Sequence, residues 1–195
     1  MSTKPNPAKS PERKLRADGL RNRERLIEAA KASFAAGGAE ASLEEIARRA
    51  GVGIGTLYRH FPSRDDIVEA VYRREVQQLA DAADRLVGEA GPAEALHRWM
   101  RLFVDYIAAK KLIVPALQTL VGDRSDLYKA SGAAITEAMR RLVANAAKAG
   151  EIRADADPED LLRALVGFTY GSTAKSWEAS ALRLIDLLMD GLRAK

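Results

Sequence analysis

His60 and His97 are the only histidines in a 195-residue chain that has no cysteine. No disulfide, thiolate nucleophile, or Cys-ligated zinc or iron-sulfur site can form. Glu94-x-x-His97 is half of a carboxylate di-iron signature, but that site needs a second Glu-x-x-His, and Leu57 stands three residues before His60. His97, next but one to Trp99, reads as a polar lining or surface residue. Gly51-Val52-Gly53-Ile54-Gly55 imitates a dinucleotide loop, yet it lacks the third glycine at the right spacing and follows a helical segment, not a strand. No catalytic residue, metal or cofactor is expected, which makes an enzyme the weaker class.

The basic residues offer different chemistry. Up to residue 75 there are 15 Lys and Arg against 11 Asp and Glu, and beyond it 16 against 16, so the net charge of +4 belongs to the first part. Lys4, Lys9, Arg13, Lys14, Arg16, Arg21, Arg23 and Arg25 crowd the beginning. Taken alone, such a run is a solvated tail; beside a DNA-binding unit it is a partner for phosphate. Residues 1–19 have too little apolar surface to offset ordering entropy and are expected to be a disordered basic arm.

Helices must position whatever does the work. Ala and Leu fill 58 positions while Val, Ile and Thr fill 25, which favours an all-α fold. The first helix runs from Leu20, with Leu26, Ile27, Ala30 and Phe34 on one face, to Gly37-Gly38. Ser42 and Glu45 form a capping box before a short second helix that stops at Gly51, and Ile54 to His60 forms a third. Phe61-Pro62 breaks that helix, and Ser63 with Asp66 caps a long fourth one starting at Arg64. A fifth helix opens at Pro92, a sixth (Leu112–Leu120) is bent near Pro115 and ended by Gly122, and a seventh spans about Asp126 to Ala149. Asp157-Pro158 opens the eighth, and the ninth closes the chain. The domains read as the arm, a head at 20–75 and a body at 76–195. No apolar run approaches the roughly 18 to 20 residues of a membrane span, so a soluble, cytoplasmic protein is expected.

The second helix, the Gly51-Val52 turn and the third helix fit a helix-turn-helix, with Ala47 as the small crossing residue. Leu57 and Phe61, four apart, would pack on Ile46 and Phe34. That leaves Gly53, Ile54, Thr56, Arg59 and His60 on an outer face able to enter a major groove.

The run Gly51-Val52-Gly53-Ile54-Gly55-Thr56-Leu57-Tyr58-Arg59-His60-Phe61-Pro62-Ser63-Arg64 resembles the signature of TetR-family transcriptional regulators. The resemblance implies a homodimer that binds a palindromic double-stranded operator and releases it when a small molecule enters the body. By position it makes Gly53, Ile54, Gly55 and Thr56 groove-facing, puts Tyr58, Arg59 and His60 on the flanking backbone, and gives Ser42 and Arg64 phosphates. Tyr58 has half-buried core as its other reading. Glu44 and Glu45 would repel phosphate early in the second helix, where some relatives are basic or polar. Arg98-Trp99-Met100-Arg101 through Glu159-Asp160-Leu161-Leu162-Arg163 also resembles one C-terminal subgroup of the family.

Aromatic residues concentrate beyond residue 95. His97, Trp99, Met100, Phe103, Tyr106, Leu117, Tyr128, Met139 and Phe168 are candidate linings for a mainly apolar ligand, with ordinary core as the plainer reading of each. The eighth and ninth helices carry more apolar surface than one body needs. Leu162, Leu165, Phe168, Thr169, Leu184 and Leu188 are the candidate dimer interface. A non-specific architectural DNA-binding protein is the main alternative, ahead of a helical ligand carrier or enzyme.

Overall fold

A computed structural model describes residues 11–118, 125–171, 174 and 176–194. Among these residues the regular structure is helical: α1 (Pro11–Gly37), a 3-10 turn (Gly38–Glu40), α2 (Leu43–Ala50), α3 (Ile54–His60), α4 (Arg64–Glu89), α5 (Pro92–Gln118), α6 (Ser125–Lys148), α7 (Pro158–Tyr170) and α8 (Trp177–Leu192). An isolated antiparallel bridge pairs Ile152 with Arg193. The fold is all-α. No described helix is long and apolar enough to cross a membrane.

The described residues fall into two compact units. One holds those up to Val71 and from Pro115 to the end of α5, and the other holds Tyr72–Val114 and everything from α6 onward. In the first unit, Leu26, Ile27, Ala30 and Phe34 of α1 are buried with Ile46, Ala47 and Ala50 of α2 and Leu57 of α3. Burying each large apolar side chain stabilises by about 1.5–3 kcal/mol. In the second unit Trp99, Met100, Phe103 and Ile107 of α5 are buried with Leu79 and Leu86 of α4, Met139 and Leu142 of α6, Leu165 of α7 and Ile185 of α8. The Trp99 indole N–H donates to the Leu79 carbonyl at 2.8 Å, so this fully buried ring keeps no unpaired polar atom.

Two expectations change. The fifth and sixth predicted helices are one, α5, with Pro115 inside it, which leaves eight described α-helices where nine were expected. Proline removes one backbone hydrogen bond and crowds the preceding turn, at about 3 kcal/mol. Burial of Ile113, Ala116 and Leu117 on either side of it offsets that cost. The expected stop at Gly122 lies outside the described residues. Finally, α1 begins at Pro11, so residues 11–19 are helical, not a disordered arm; residues 1–10 lie outside the described residues. Polarity alone argued for disorder there, whereas Pro at a first helical position and good helix formers after it carry the helix upstream of its core. Local pairs between Arg21 and Asp18, and between Arg25 and Asn22, add to it.

Candidate nucleic-acid interface

Two turns with different logic frame α3. At its start, Gly51 has φ +67°, and the N–H of Gly51 and of Val52 donate to the Arg48 and Ala47 carbonyls at 3.1 and 3.0 Å, closing α2 and reversing the chain. At its end Phe61, 2% exposed, adopts extended backbone, and Ser63 and Asp66 exchange reciprocal bonds, Ser63 N–H to Asp66 Oδ2 at 2.8 Å and Asp66 N–H to Ser63 Oγ at 3.2 Å. This second capping box is complete. The first is half made: Ser42 Oγ accepts the Glu45 N–H at 3.1 Å, but the Glu45 carboxylate turns to Arg48.

With Leu57 and Phe61 held inside, α3 shows its other side to solvent. Ile54 is 39% and Tyr58 47% exposed; Gly53, Gly55 and Arg59 are exposed, and Thr56 and His60 half-buried. Tyr58 is thus a surface residue. Gly53 and Gly55 have negative φ, and a Cβ at either would meet no protein atom within 4 Å. The fold has no need of glycine there, in contrast to Gly51.

The expected phosphate groups are placed unevenly. Ser42 is exposed and also donates to Glu44 Oε2 at 3.1 Å. Arg64 is half-buried: its Nη1 donates to the Ala41 carbonyl at 2.5 Å and its guanidinium lies 5.4 Å from the Phe34 ring centre, tying the start of α4 to the turn before α2. Two residues beyond the expected set stand at the ends of α3. The Arg23 guanidinium lies 5.2 Å from the Phe61 ring centre at the end of α3. Arg25 Nη1 lies 3.8 Å from where a Cβ on Gly51 would stand, at its start. Helical phase is the available signal for Arg23, which is four residues before Ile27 on the buried stripe.

In the second unit the expected pocket residues separate. Trp99, Met100, Phe103, Tyr106 and Met139 are buried, with ring centres 6.2 Å apart for Trp99–Phe103 and 5.8 Å for Phe103–Tyr106. Burial, then the neighbouring Tyr72, raises the Tyr106 phenol far above its ordinary value, with smaller contributions from Tyr170 and Glu75. Tyr106 is therefore a protonated donor within a polar-aromatic cluster. Tyr128 is 43% exposed and stacks edge-on to Tyr72; Phe168 is half-buried. Leu117 is buried but belongs to the first unit. His97 sits apart from the rings: Nε2 lies 2.7 Å from Asp186 Oδ1, and Nδ1 lies 3.8 Å from Glu94 Oε2. It lines a solvent-open hollow of about 590 Å³ together with Glu151, Ile152, Met189 and Arg193 among others, and it bridges α5 to α8.

The expected interface also needs revision. Leu165 and Thr169 are fully buried within the chain, and Thr169 Oγ1 donates back to the Leu165 carbonyl at 3.0 Å. They share the inner stripe of α7 with Leu161, four residues earlier. Leu162, Phe168 and Leu188 are half-buried and Leu184 is 37% exposed, while Val166, Tyr170 and Leu187 (67% exposed) extend the uncovered apolar face beyond the expected residues.

Residues 26–71 match the family model described as bacterial regulatory proteins, tetR family, and residues 91–194 match that of the transcriptional regulator SbtR-like, C-terminal domain. Among solved structures, the TetR transcriptional regulator SCO0520 from Streptomyces coelicolor is 44% identical, covering 89% of this chain and 99% of that one with a TM-score of 0.80. The HTH-type transcriptional regulator UidR of Escherichia coli K12 is 27% identical over 197 residues, 92% of this chain and 93% of that one. The HTH-type transcriptional regulator SAB2452 of Staphylococcus aureus is 40% identical over 99 residues, 50% of this chain and about half of its own length, 52%.

Proposed function

Since the chain belongs to the TetR family of DNA-binding transcriptional regulators, we propose that it is a repressor that binds a palindromic operator as a homodimer and lets go when a small, mainly apolar ligand enters the body. It is a regulator and not an enzyme. The observation that carries the operator reading is the outer face of α3: anchored from behind by Leu57 and Phe61, it exposes Ile54 between two glycines that the fold does not require. Glycine there lets DNA approach the helix backbone closely. Gly53, Ile54, Gly55 and Thr56 face the groove in this reading, and Tyr58, Arg59 and His60 take the flanking backbone. Ser42 and Arg64 hold phosphates, with one Arg64 donor already given to Ala41.

A palindrome requires two heads spaced about 34–36 Å or a multiple of it, hence two chains. The exposed Val166, Leu184 and Leu187, with the half-buried Leu162 and Leu188, supply a face for a four-helix contact between copies. The buried rings around Phe103, with Tyr106 as a donor, suit a ligand that is apolar apart from one acceptor. Ligand binding favours a body shape in which α4 swings the heads out of register with successive major grooves. Ligand and operator then weaken each other by the same factor, a coupling of about 1–3 kcal/mol. Such a regulator works in the cytoplasm, where the DNA is.

The test is to incubate the purified protein with sheared DNA from its source genome and sequence what is retained. A shared palindrome is expected. Fragments without common sequence, released at moderate salt, would favour an architectural protein; no retention would favour a ligand carrier.

A further inference from the structure

One face of α5 changes character along its length. Trp99, Phe103, Tyr106 and Lys110 follow one another at spacings of four, three and four residues. They therefore share a stripe about 16 Å long at about 1.5 Å per residue. Trp99 is fully buried, Phe103 and Tyr106 are buried and Lys110 is half-buried, so the stripe passes from apolar ring to phenol to ammonium as it nears solvent. The Lys110 ammonium lies over the Tyr72 ring, 5.7 Å from its centre, and a ring face leaves the N–H groups of an ammonium to be given to an acceptor. The phenols of Tyr72 and Tyr106 hydrogen-bond to each other. Such a pair spends one O–H internally and has the second to donate. The exposed Tyr128 and Tyr170 border this polar end, Tyr128 edge-on to Tyr72 at 5.7 Å and Tyr170 close enough to act electrostatically on both buried phenols. Glu75 places a buried carboxylate near Tyr106, but Lys110 and Lys111 stand against it, Lys111 at 5.2 Å from the Tyr170 ring centre. Among these groups the balance of charge is positive.

We propose that the ligand of this regulator is an amphipathic acid, whose carboxylate is held by the Lys110 ammonium and the paired phenols of Tyr72 and Tyr106 while its apolar part lies along the stripe toward Phe103. The inference rests on the ligand-release reading above and names the chemical class of that ligand. An ammonium and a phenol O–H both donate, and a carboxylate accepts from both at once. Charge-assisted bonds of this kind are roughly twice as strong as neutral ones. The order of the stripe also sets the orientation: the charged head stays at the end that nears solvent, away from the apolar interior around Trp99 where an unpaired charge is most costly. An alcohol forgoes the ion pair, and a ligand with an ammonium head meets Lys110 as a like charge.

The test titrates three probes of one chain length into the full protein without DNA, at neutral pH and below micelle-forming concentrations: decanoate, decanol and decyltrimethylammonium. Calorimetry should find decanoate bound about tenfold or more tightly than decanol, and decyltrimethylammonium weakest. Lys110→Met should erase that preference, weakening decanoate while decanol binds as it does to the unaltered protein. Lys110→Arg should keep most of the preference. Decanol or decyltrimethylammonium bound as tightly as decanoate by the unaltered protein would overturn the inference and leave the ligand-release reading standing. So would a Lys110→Met protein that still prefers the acid, or one that loses acid and alcohol equally, since that marks a structural role. If no probe binds, the inference and the apolar-ligand reading fall together, while the operator reading is decided separately by the DNA that the protein retains.

Discussion

The Lys111 ammonium lies 3.5 Å from the centre of the Trp177 ring and donates to the Thr169 carbonyl at 2.6 Å. One cation on α5 thereby joins the last turn of α7 to the first residue of α8. Lys111→Met keeps most of the stem and removes the charge. It should lower stability to urea by about 1–2 kcal/mol, from a half-buried cation-π contact and a charge-assisted hydrogen bond. An unchanged urea midpoint would show that α7 and α8 are held without it.

Two glycines four positions apart should respond with opposite signs. Gly51→Ala forces a side chain into the left-handed region and should cost about 1–2 kcal/mol of stability. Gly55→Ala meets open space inside a helix and should raise stability by up to about 1 kcal/mol, while weakening operator binding by blocking close approach. Paired thermal melts and binding isotherms check this. A Gly55→Ala protein that binds DNA as well as the original would remove the glycines from the interface.

Thr56 and Tyr58 should separate reading from positioning. Thr56→Ala should relax preference at one base pair, by about 1–3 kcal/mol. Tyr58→Phe should weaken binding to every sequence by a common factor, because Tyr58 is half in solvent and its hydroxyl can donate to a phosphate but not read a base. Affinities across a set of single-base operator variants distinguish the two patterns. A Tyr58→Phe protein with altered sequence preference would reverse the assignment.

Asp186 is held below its ordinary carboxylate value, first by its hydrogen bond with His97 and then by the nearby Arg101. A group depressed in the folded state stabilises above the unfolded value and loses that contribution as pH falls through the folded one. Melting temperature should therefore drop more steeply below the ordinary aspartate range than in Asp186→Asn, where that part of the profile flattens. Parallel profiles for the two proteins would mean that the α5–α8 bridge does not contribute.

Leu187, 67% exposed, contributes little to its own chain's core. Leu187→Glu should leave the single-chain fold intact and place two carboxylates at the centre of the face between copies. Sedimentation should then find one chain where the unaltered protein shows two. A variant that stays dimeric would move the interface elsewhere.

Most of the head is legible in sequence because its signals are local. Ser42, Gly51, Ser63 and Asp66 announce helix ends through their own backbone, and Leu57 with Phe61 fixes which side of α3 faces out. The body is legible as helices but not as surfaces. On α7, Leu161, Leu162, Leu165 and Val166 are equally apolar, and only the packing of α6 and α8 against that helix decides that Leu165 is inside and Val166 outside. His97 escapes a sequence reading for a related reason, since its partner Asp186 lies 89 residues away, beyond any local pattern. Pro115 looks like a break because its local cost is visible in sequence, whereas the burial of Ala116 and Leu117 that offsets it is not.

Whether the outer face of α3 reads base sequence reduces to a ratio of affinities. Binding of the unaltered protein should be measured at about physiological salt, ~0.15 M, to the recovered palindrome and to a duplex of equal length and composition with both half-sites scrambled. If α3 reads the groove, the palindrome is bound at least about 10³-fold more tightly, with two chains on each duplex. Equal affinity for the two duplexes would contradict it.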